Sequence, residues 1–241
     1  MLSVENFMCR YKKDVPSFEN FLVRDSNSEA FESVKALSKY PLDKSPVPLF
    51  VEGKTGCGKT HLLKSLYIEL NDDENCRVLY IFCEAIVAHL LTFIRKSETD
   101  ILRRRFSGVD VLLIDNCEYA ERSEQLQLEL SVLIKTMTEN NKQVVLAVSS
   151  EEEKLSVLKE KLGSECYKEV KISEPDYDFS RAYLEDLLKR NNMELTRGIK
   201  KYILKQSKNH LSMIKCAVNK IRLVEPLIKK PVTLKMVKKW I

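Results

Sequence analysis

The chain has 241 residues, of which 44% are hydrophobic and 31% are charged, and its formal net charge is +5. A globular chain of this length buries about 70–75% of the surface that its unfolded form exposes, so it can form a core without disulfides or a structural metal. No apolar run approaches the roughly 18 residues of a membrane span, and Met1–Asn6 lacks the basic and apolar regions of a signal peptide. We therefore expect a cytoplasmic protein without membrane contact.

The cysteines and histidines do not form a recognisable pattern. The seven cysteines are odd in number and none belongs to a C-x-x-C pair. This usage fits neither a disulfide framework nor a zinc site, and it is typical of buried thiols in a reducing compartment. The histidines His61, His89 and His210 are scattered along the chain, so we do not expect a histidine-ligated metal centre.

The net charge conceals an asymmetry along the chain. Residues 197–241 contain 13 Lys or Arg and one acidic residue, Glu225, which gives +12, while residues 1–196 contain 27 basic and 34 acidic residues, which gives −7. A basic segment joined to a mildly acidic body predicts two substructures and an anionic partner surface. A solvated basic helical face would give the same count.

Apolar runs alternate with amphipathic stretches through the first 174 residues. The turn-rich segment Pro41–Pro48 leads into the first run. The predicted strands are Leu49–Val51, Val78–Phe82, Val109–Ile114, Val144–Val148 and Val170–Ile172, and the predicted helices are His61–Leu70, Ala85–Arg95 and Ser123–Thr138. Strands that alternate with helices predict a parallel sheet covered on both faces.

The strand signal ends near residue 174. From there to Ile241 the apolar residues recur at helical spacing, as at Leu184, Leu187 and Leu188. The sequence therefore predicts an α/β core over residues 1–174 and a small, basic, all-helical lid over residues 175–241.

One motif is far more specific than the rest. Gly53–Thr60 reads G-x-x-x-x-G-K-T, follows the predicted strand Leu49–Val51 and opens the predicted helix at His61. In such a loop, backbone N–H groups close around phosphate oxygens beside a helix N-terminus. Lys59 can reach the β- and γ-phosphates, and the Thr60 hydroxyl can ligate Mg²⁺.

A carboxylate completes this kind of site. Asp115 follows the apolar residues Val111–Ile114 at the end of a predicted strand, and from there it can hold Mg²⁺ through water. An Asp in this place often serves only as a turn residue. Its pairing with the phosphate loop favours the metal role.

Several strings carry a family resemblance. Pro48–Leu63 is close to "PLfiyG…GKTHLL", Val109–Asp115 to "vDvLLID" and Pro16–Val23 to "tFdnFvvG", while Arg77–Glu84 and Lys142–Leu146 are similar to "kvlYvtsE" and "KQiVL". On these strings the chain resembles the AAA+ module of the bacterial replication initiator DnaA and its regulatory relative Hda. The resemblance covers nearly the whole chain.

The resemblance implies an AAA+ P-loop core with a parallel five-stranded sheet, a helical lid, and ATP or ADP bound with Mg²⁺. It implies that Leu22 and Val23 pack over the adenine. The remaining nucleotide-binding residues would be Gly53, Thr55, Gly56, Cys57, Gly58, Lys59, Thr60 and His61, with Thr60 and Asp115 at the metal.

The departures from the family pattern concern catalysis. Asn116 replaces a second acid that helps to position the attacking water, and Ala147–Ser149 replaces the sensor "tSD". Glu165 stands at the position of the arginine finger, and Ser212 at that of the lid arginine. We therefore expect hydrolysis to be weak or absent.

Two family elements have no counterpart in the sequence. The helix-turn-helix that reads DnaA boxes would follow the lid, and Met1–Asn6 does not show the clamp motif QLxLPL of Hda-like proteins. We expect no sequence-specific duplex binding of the DnaA sort. Because Met1–Asn6 lacks the clamp motif, the clamp is a weaker candidate partner.

Three functions remain open at this point. The first is a regulator or adaptor that contacts DnaA or another replication protein, the clamp and the helicase included. The second is a helicase loader of the DnaC or DnaI type, and the third is an unrelated P-loop enzyme such as a small kinase. The basic lid and Arg103–Arg105 would suit non-specific contact with nucleic acid in the first two.

Overall fold

The computed structural model describes residues 15–39, 46–94, 106–149, 155–228 and 231–241. Those ranges contain five strands, nine α-helices and two short 3₁₀ helices, Phe18–Asn20 and Cys117–Arg122. In chain order the other elements are α1 Ser28–Lys39, β1 Leu49–Gly53, α2 Lys59–Asn71, β2 Val78–Phe82, α3 Cys83–Ile94, β3 Val111–Asp115, α4 Glu124–Glu139, β4 Gln143–Val148, α5 Ser156–Leu162, β5 Lys168–Ile172, α6 Tyr177–Arg190, α7 Arg197–Ser207, α8 Leu211–Ile228 and α9 Leu234–Trp240.

The strands form one sheet in the order β2-β3-β4-β1-β5. Every neighbouring pair is parallel, which confirms the predicted parallel five-stranded sheet. All residues of β1, β3 and β4 are buried, as expected for central strands covered on both faces by helices. The carboxyl ends of the strands lie on one edge of the sheet, where β3 ends at Asp115 and β1 ends at Gly53.

The boundaries of β1, β3, β4 and β5 differ by one or two residues from the predicted ones, and the contacts explain two of these differences. β3 begins at Val111 rather than Val109, because the Asp110 carboxylate accepts from the backbone N–H of Arg77 at 3.0 Å and also binds Lys142. β1 continues past Val51 to Gly53, because β4 and β5 pair with it on both sides. Because Glu52 is polar, the apolar pattern of the sequence does not indicate this extension.

The chain divides into two compact units. The sheet unit contains Pro16–Lys54 and Lys59–Ser173, and the helical unit contains Thr55–Gly58 and Glu174–Ile241. The core of the sheet unit includes Phe50, Leu112 and Leu146, each 0% exposed. The core of the helical unit includes Leu184, Ile203, Ile214 and Ile221, each at most 1% exposed.

Some segments singled out in the sequence fall outside the described residues. They are Met1–Asn6, residues 41–45 of the turn-rich segment, Arg95 and Arg103–Arg105. Within the described ranges, no helix has the length and apolarity needed to cross a membrane.

Candidate nucleotide-binding site

The predicted phosphate loop forms a tight turn between β1 and α2. β1 ends at Gly53 and α2 begins at Lys59. Gly56 and Gly58 have φ angles of +83° and +118°, which residues with a Cβ rarely adopt. The turn leads directly into the first turn of α2, whose N–H groups lack partners within the helix, and this is the arrangement that binds phosphate.

The lysine of the loop is held on the inside of the turn. Lys59 is 8% exposed, and its Nζ donates to the carbonyl oxygens of Gly53 at 2.5 Å and Lys54 at 3.0 Å. A buried ammonium needs an anionic partner or hydrogen-bond acceptors, and a phosphate would supply both. Next to it Thr60 is exposed in the first turn of α2, while Cys57 is 2% exposed.

The tip of the loop belongs to the helical unit. Nδ1 of His210 lies 3.0 Å from the carbonyl oxygen of Thr55, and because a carbonyl only accepts, the imidazole donates from Nδ1. A Cβ built on Gly56 would lie 3.0 Å from Oγ of Ser212 and 3.2 Å from Nδ1 of His210. Glycine is therefore needed at position 56 for two reasons, its φ angle and this close approach.

The segment that the resemblance assigns to the adenine is held by a buried amide. Asn27 is 2% exposed, and its Oδ1 accepts from the backbone N–H of Arg24 at 2.8 Å while its Nδ2 donates to the carbonyl of Leu22 at 3.0 Å. Leu22 is partly exposed and Val23 is 37% exposed. Both apolar side chains thus keep surface that a base could cover.

His61 connects this segment to the start of α2. Its Nε2 lies 3.1 Å from the carbonyl oxygen of Ser17, and its ring meets that of Phe21 edge to face with centroids 5.3 Å apart. Phe21 stacks in turn on Phe31 at 5.6 Å. The residues that precede Leu22 therefore lie beside the first turn of α2.

The predicted magnesium carboxylate is buried and oriented. Asp115 is 1% exposed; its Oδ2 accepts from the Tyr80 hydroxyl at 2.6 Å, and its Oδ1 accepts from the backbone N–H of Asn116 at 3.0 Å. Burial and the hydrogen bond to Asp115 raise the pKa of Tyr80 far above its ordinary value. Tyr80 therefore stays protonated and donates to Asp115 across the physiological pH range.

These side chains suit a magnesium ion bound with the nucleotide. Carboxylate and hydroxyl oxygens are the hard ligands that Mg²⁺ prefers, and each oxygen of Asp115 keeps accepting capacity after one protein hydrogen bond. Thr60 would hold the ion directly and Asp115 through water, and the bound ion would neutralise charge on the phosphates. In the part of the chain that the structure describes, no group of three His, Cys, Asp or Glu residues offers a separate metal site.

The positions that depart from the family pattern offer no arginine and no base next to Asp115. The backbone of Asn116 adopts the left-handed conformation, with φ 58° and ψ 43°. Its side-chain amide cannot act as a base. Glu165 is exposed in the turn after α5, and Ser212 is exposed in the first turn of α8. Ser149, which is 3% exposed, directly follows β4.

A partly buried ion cluster beside β1, the strand that leads into the phosphate loop, was not expected from the sequence. Lys159 of α5 lies 2.6 Å from Oε1 of Glu52 and 2.6 Å from Oε1 of Glu169, and Glu52 is 8% exposed in β1, next to Gly53. Burial lowers the pKa of Lys159, but the hydrogen bonds to Glu169 and Glu52 outweigh it and leave the pKa above its ordinary value. The ion pair of Lys159 with Glu52 therefore joins β1, which leads into the phosphate loop, to α5.

Residues 13–172 match the family model of the bacterial DnaA ATPase domain. Domain III of the Thermotoga maritima replication initiation protein DnaA is 27% identical, with a TM-score of 0.81, 95% of this chain covered and 98% of that structure. The Aquifex aeolicus DnaA structure bound to AMPPCP is 27% identical, with a TM-score of 0.74, 88% of this chain covered and 66% of that one.

A further DnaA structure, solved with AMPPCP and single-stranded DNA, is 26% identical, with a TM-score of 0.74, 88% of this chain covered and 67% of that one. The chain thus spans nearly all of the isolated domain and about two thirds of the two longer DnaA chains. Its sheet order and helical region are those of the AAA+ fold. The protein belongs to the bacterial DnaA ATPase domain family.

Proposed function

We propose that this protein is a nucleotide-binding regulator or adaptor in the initiation of chromosomal DNA replication, and that it works in the cytoplasm. It binds ATP or ADP with Mg²⁺ and hydrolyses ATP slowly or not at all. Membership of the DnaA ATPase domain family supports the role in initiation. The observation that carries the rest is the contrast between an intact phosphate loop and altered catalytic positions.

Nucleotide binding is supported by the groups that would contact the nucleotide before any reaction takes place. The glycine turn, the buried Lys59 and the oriented Asp115 are all in place. Two DnaA relatives of this chain were solved with AMPPCP, an analogue with the phosphate charge that this loop suits.

Slow hydrolysis is supported by what surrounds these groups. Phosphoryl transfer depends on groups that position the water and stabilise charge on the γ-phosphate oxygens. Asn116 cannot act as a base, Glu165 would repel phosphate, and Ser212 carries no charge. A partner that donates an arginine could restore the finger but not the acid at position 116.

The partner is DnaA or another replication protein, with the clamp and the helicase as further candidates. One DnaA relative was solved with single-stranded DNA, and exposed basic side chains of the helical unit, such as Lys201, Lys205 and Lys235, support non-specific contact with nucleic acid. Contact of this non-specific kind would rest on phosphates.

Two measurements test the proposal together. Calorimetry with ATP and ADP, each with and without Mg²⁺, tests binding. Affinity capture of the tagged full chain from its native cells, with and without nucleotide, tests the partner. Recovery of DnaA supports the regulator, whereas recovery of the replicative helicase supports a loader, and a wild type that binds no nucleotide overturns the proposal.

A further inference from the structure

A carboxylate from the 3₁₀ helix after β3 reaches the end of β4. Oε2 of Glu118 accepts from the backbone N–H of Ser149 at 3.3 Å. Ser149 directly follows β4, which ends at Val148. Glu118 is partly buried, so its carboxylate is held at the edge of the sheet instead of extending into solvent.

The strand order places this carboxylate between the two halves of the nucleotide site. β4 lies between β3, which ends at Asp115, and β1, which ends at Gly53. All three strands are parallel, so their carboxyl ends lie on the same edge. A group bound to the N–H of Ser149 therefore lies between the metal carboxylate and the start of the phosphate loop.

The local backbone explains why residue 118, and not residue 116, presents the acid. Asn116 adopts a left-handed conformation, its N–H donates to Oδ1 of Asp115 and its carbonyl accepts from Tyr119 at 3.0 Å. This turn starts the 3₁₀ helix immediately after β3 and directs Glu118 towards β4. Asn116, the residue next to Asp115, has no carboxylate, whereas Glu118, the third residue after Asp115, does.

We propose that Glu118 is the catalytic base for the slow ATP hydrolysis of this protein. It orients a water molecule and accepts its proton as the water oxygen bonds to the γ-phosphorus; the bond from phosphorus to the bridging oxygen breaks, and ADP leaves with the electron pair. The proton then passes from Glu118 to phosphate or solvent. This inference rests on the proposed nucleotide site but not on the partner.

Glu118→Gln tests the base directly. Glutamine still accepts from the Ser149 N–H, so the substitution removes the basic carboxylate and keeps the contact. Single-turnover hydrolysis of ATP, followed over a day, should slow by about 100-fold or more, the usual contribution of a general base. ADP affinity and the free energy of unfolding should not change, and Glu124→Gln, at an exposed site on α4, should hydrolyse like the wild type.

The outcomes separate this inference from the proposed function. If the wild type binds nucleotide and Glu118→Gln hydrolyses ATP at the wild-type rate, Glu118 is not the base and the nucleotide site stands. A wild type that binds ATP but shows no hydrolysis after a day also overturns the inference. A wild type without nucleotide binding overturns both.

Discussion

The Tyr80 hydroxyl donates to Oδ2 of Asp115 across two neighbouring strands, at 2.6 Å. Tyr80 lies opposite Leu113 in the β2–β3 pair, and Asp115 lies opposite Phe82, so the bond runs diagonally between residues on the same face of the sheet. Asp115 is almost completely buried, and its rotamer is thereby fixed. A phenol on an edge strand thus orients the carboxylate of the proposed metal site.

Tyr80→Phe should weaken the metal-dependent part of nucleotide binding. The substitution leaves a buried oxygen of Asp115 without its donor, which costs about 1–3 kcal/mol. Nucleotide affinity should fall in the presence of Mg²⁺ and stay unchanged in EDTA, as measured with a fluorescent ADP analogue. Tyr67→Phe, on the ring that packs against Tyr80, is the matched control and should leave both affinities unchanged.

The same pair predicts an alkaline dependence of stability. Since the pKa of Tyr80 is raised in the folded state, its contribution to stability is complete below the ordinary tyrosine pKa of about 10. Above that pH the unfolded state loses the proton first, so the folded state is destabilised as pH rises. In urea titrations, the stability difference between wild type and Tyr80→Phe should shrink above pH 10; a constant difference would exclude this linkage.

Asn27→Ala should reduce recognition of the base and spare recognition of the phosphates. The buried amide holds the Leu22 carbonyl and the Arg24 N–H, and its loss leaves both without these bonds. We expect ATP affinity to fall about tenfold, equivalent to 1.4 kcal/mol, while inorganic tripolyphosphate competes as before. Gln206→Ala, which removes an exposed amide of α7, should change neither ATP affinity nor tripolyphosphate competition. Equal losses of affinity for ATP and tripolyphosphate would contradict the role of this segment in binding the base.

Lys59→Ala should nearly abolish nucleotide binding. In the proposed site the buried ammonium would be the main counter-charge for phosphate, and removing one partner of a buried ion pair costs about 3–5 kcal/mol, more than about a hundredfold in Kd. Calorimetry against Lys161→Ala, an exposed lysine of α5, checks this. Retention of wild-type affinity by Lys59→Ala would mean that the loop is not the phosphate site.

Binding to nucleic acid should be independent of sequence and steeply dependent on salt. Each phosphate contact with duplex DNA contributes about −0.9 to the slope of log K against log salt. Substituting Lys201 and Lys205 by alanine should make that slope shallower by up to about 1.8 in anisotropy titrations, whereas the pair Lys161→Ala and Lys171→Ala should not. A footprint on one defined duplex sequence at about 150 mM salt would show base reading instead.

Multiple-turnover hydrolysis by the isolated chain should be very slow. Loss of an arginine finger alone lowers rates about 10³–10⁵-fold in other P-loop systems, which corresponds to about 4–7 kcal/mol. We expect kcat well below about 1 s⁻¹, the lower end of ordinary enzymes. A faster rate would favour a helicase loader over a regulator.

The sequence predicts those features that repeat or that lie close together in the chain. The alternation of apolar runs and amphipathic stretches is enough for a parallel sheet, and the glycines and lysine of Gly53–Thr60 place a phosphate loop between a strand and a helix. Asp115 could be predicted to lie at the end of a buried strand because apolar residues lead directly into it; its metal role stays a prediction.

Contacts between distant residues could not be predicted in this way. That Tyr80 reaches Asp115 depends on β2 being the neighbour of β3 and on their register, and neither is visible in the strand sequences. Glu118 could not be assigned to the end of β4 before the left-handed turn at Asn116 was known. Short-range patterns report burial and local backbone, whereas these contacts depend on the order of the strands.

The cluster of Glu52, Lys159 and Glu169 has a consequence for how this family can vary. Loss of the ammonium alone would leave the buried Glu52 carboxylate without its counter-charge, which is destabilising, whereas exchange of both members of an ion pair for apolar residues is often neutral. Substitutions at positions 52 and 159 should therefore be correlated. In a relative with an aromatic residue at position 52, just before the phosphate loop, no carboxylate would require a lysine on α5. We therefore expect positions 52 and 159 to form an epistatic pair, although 107 positions separate them in the chain.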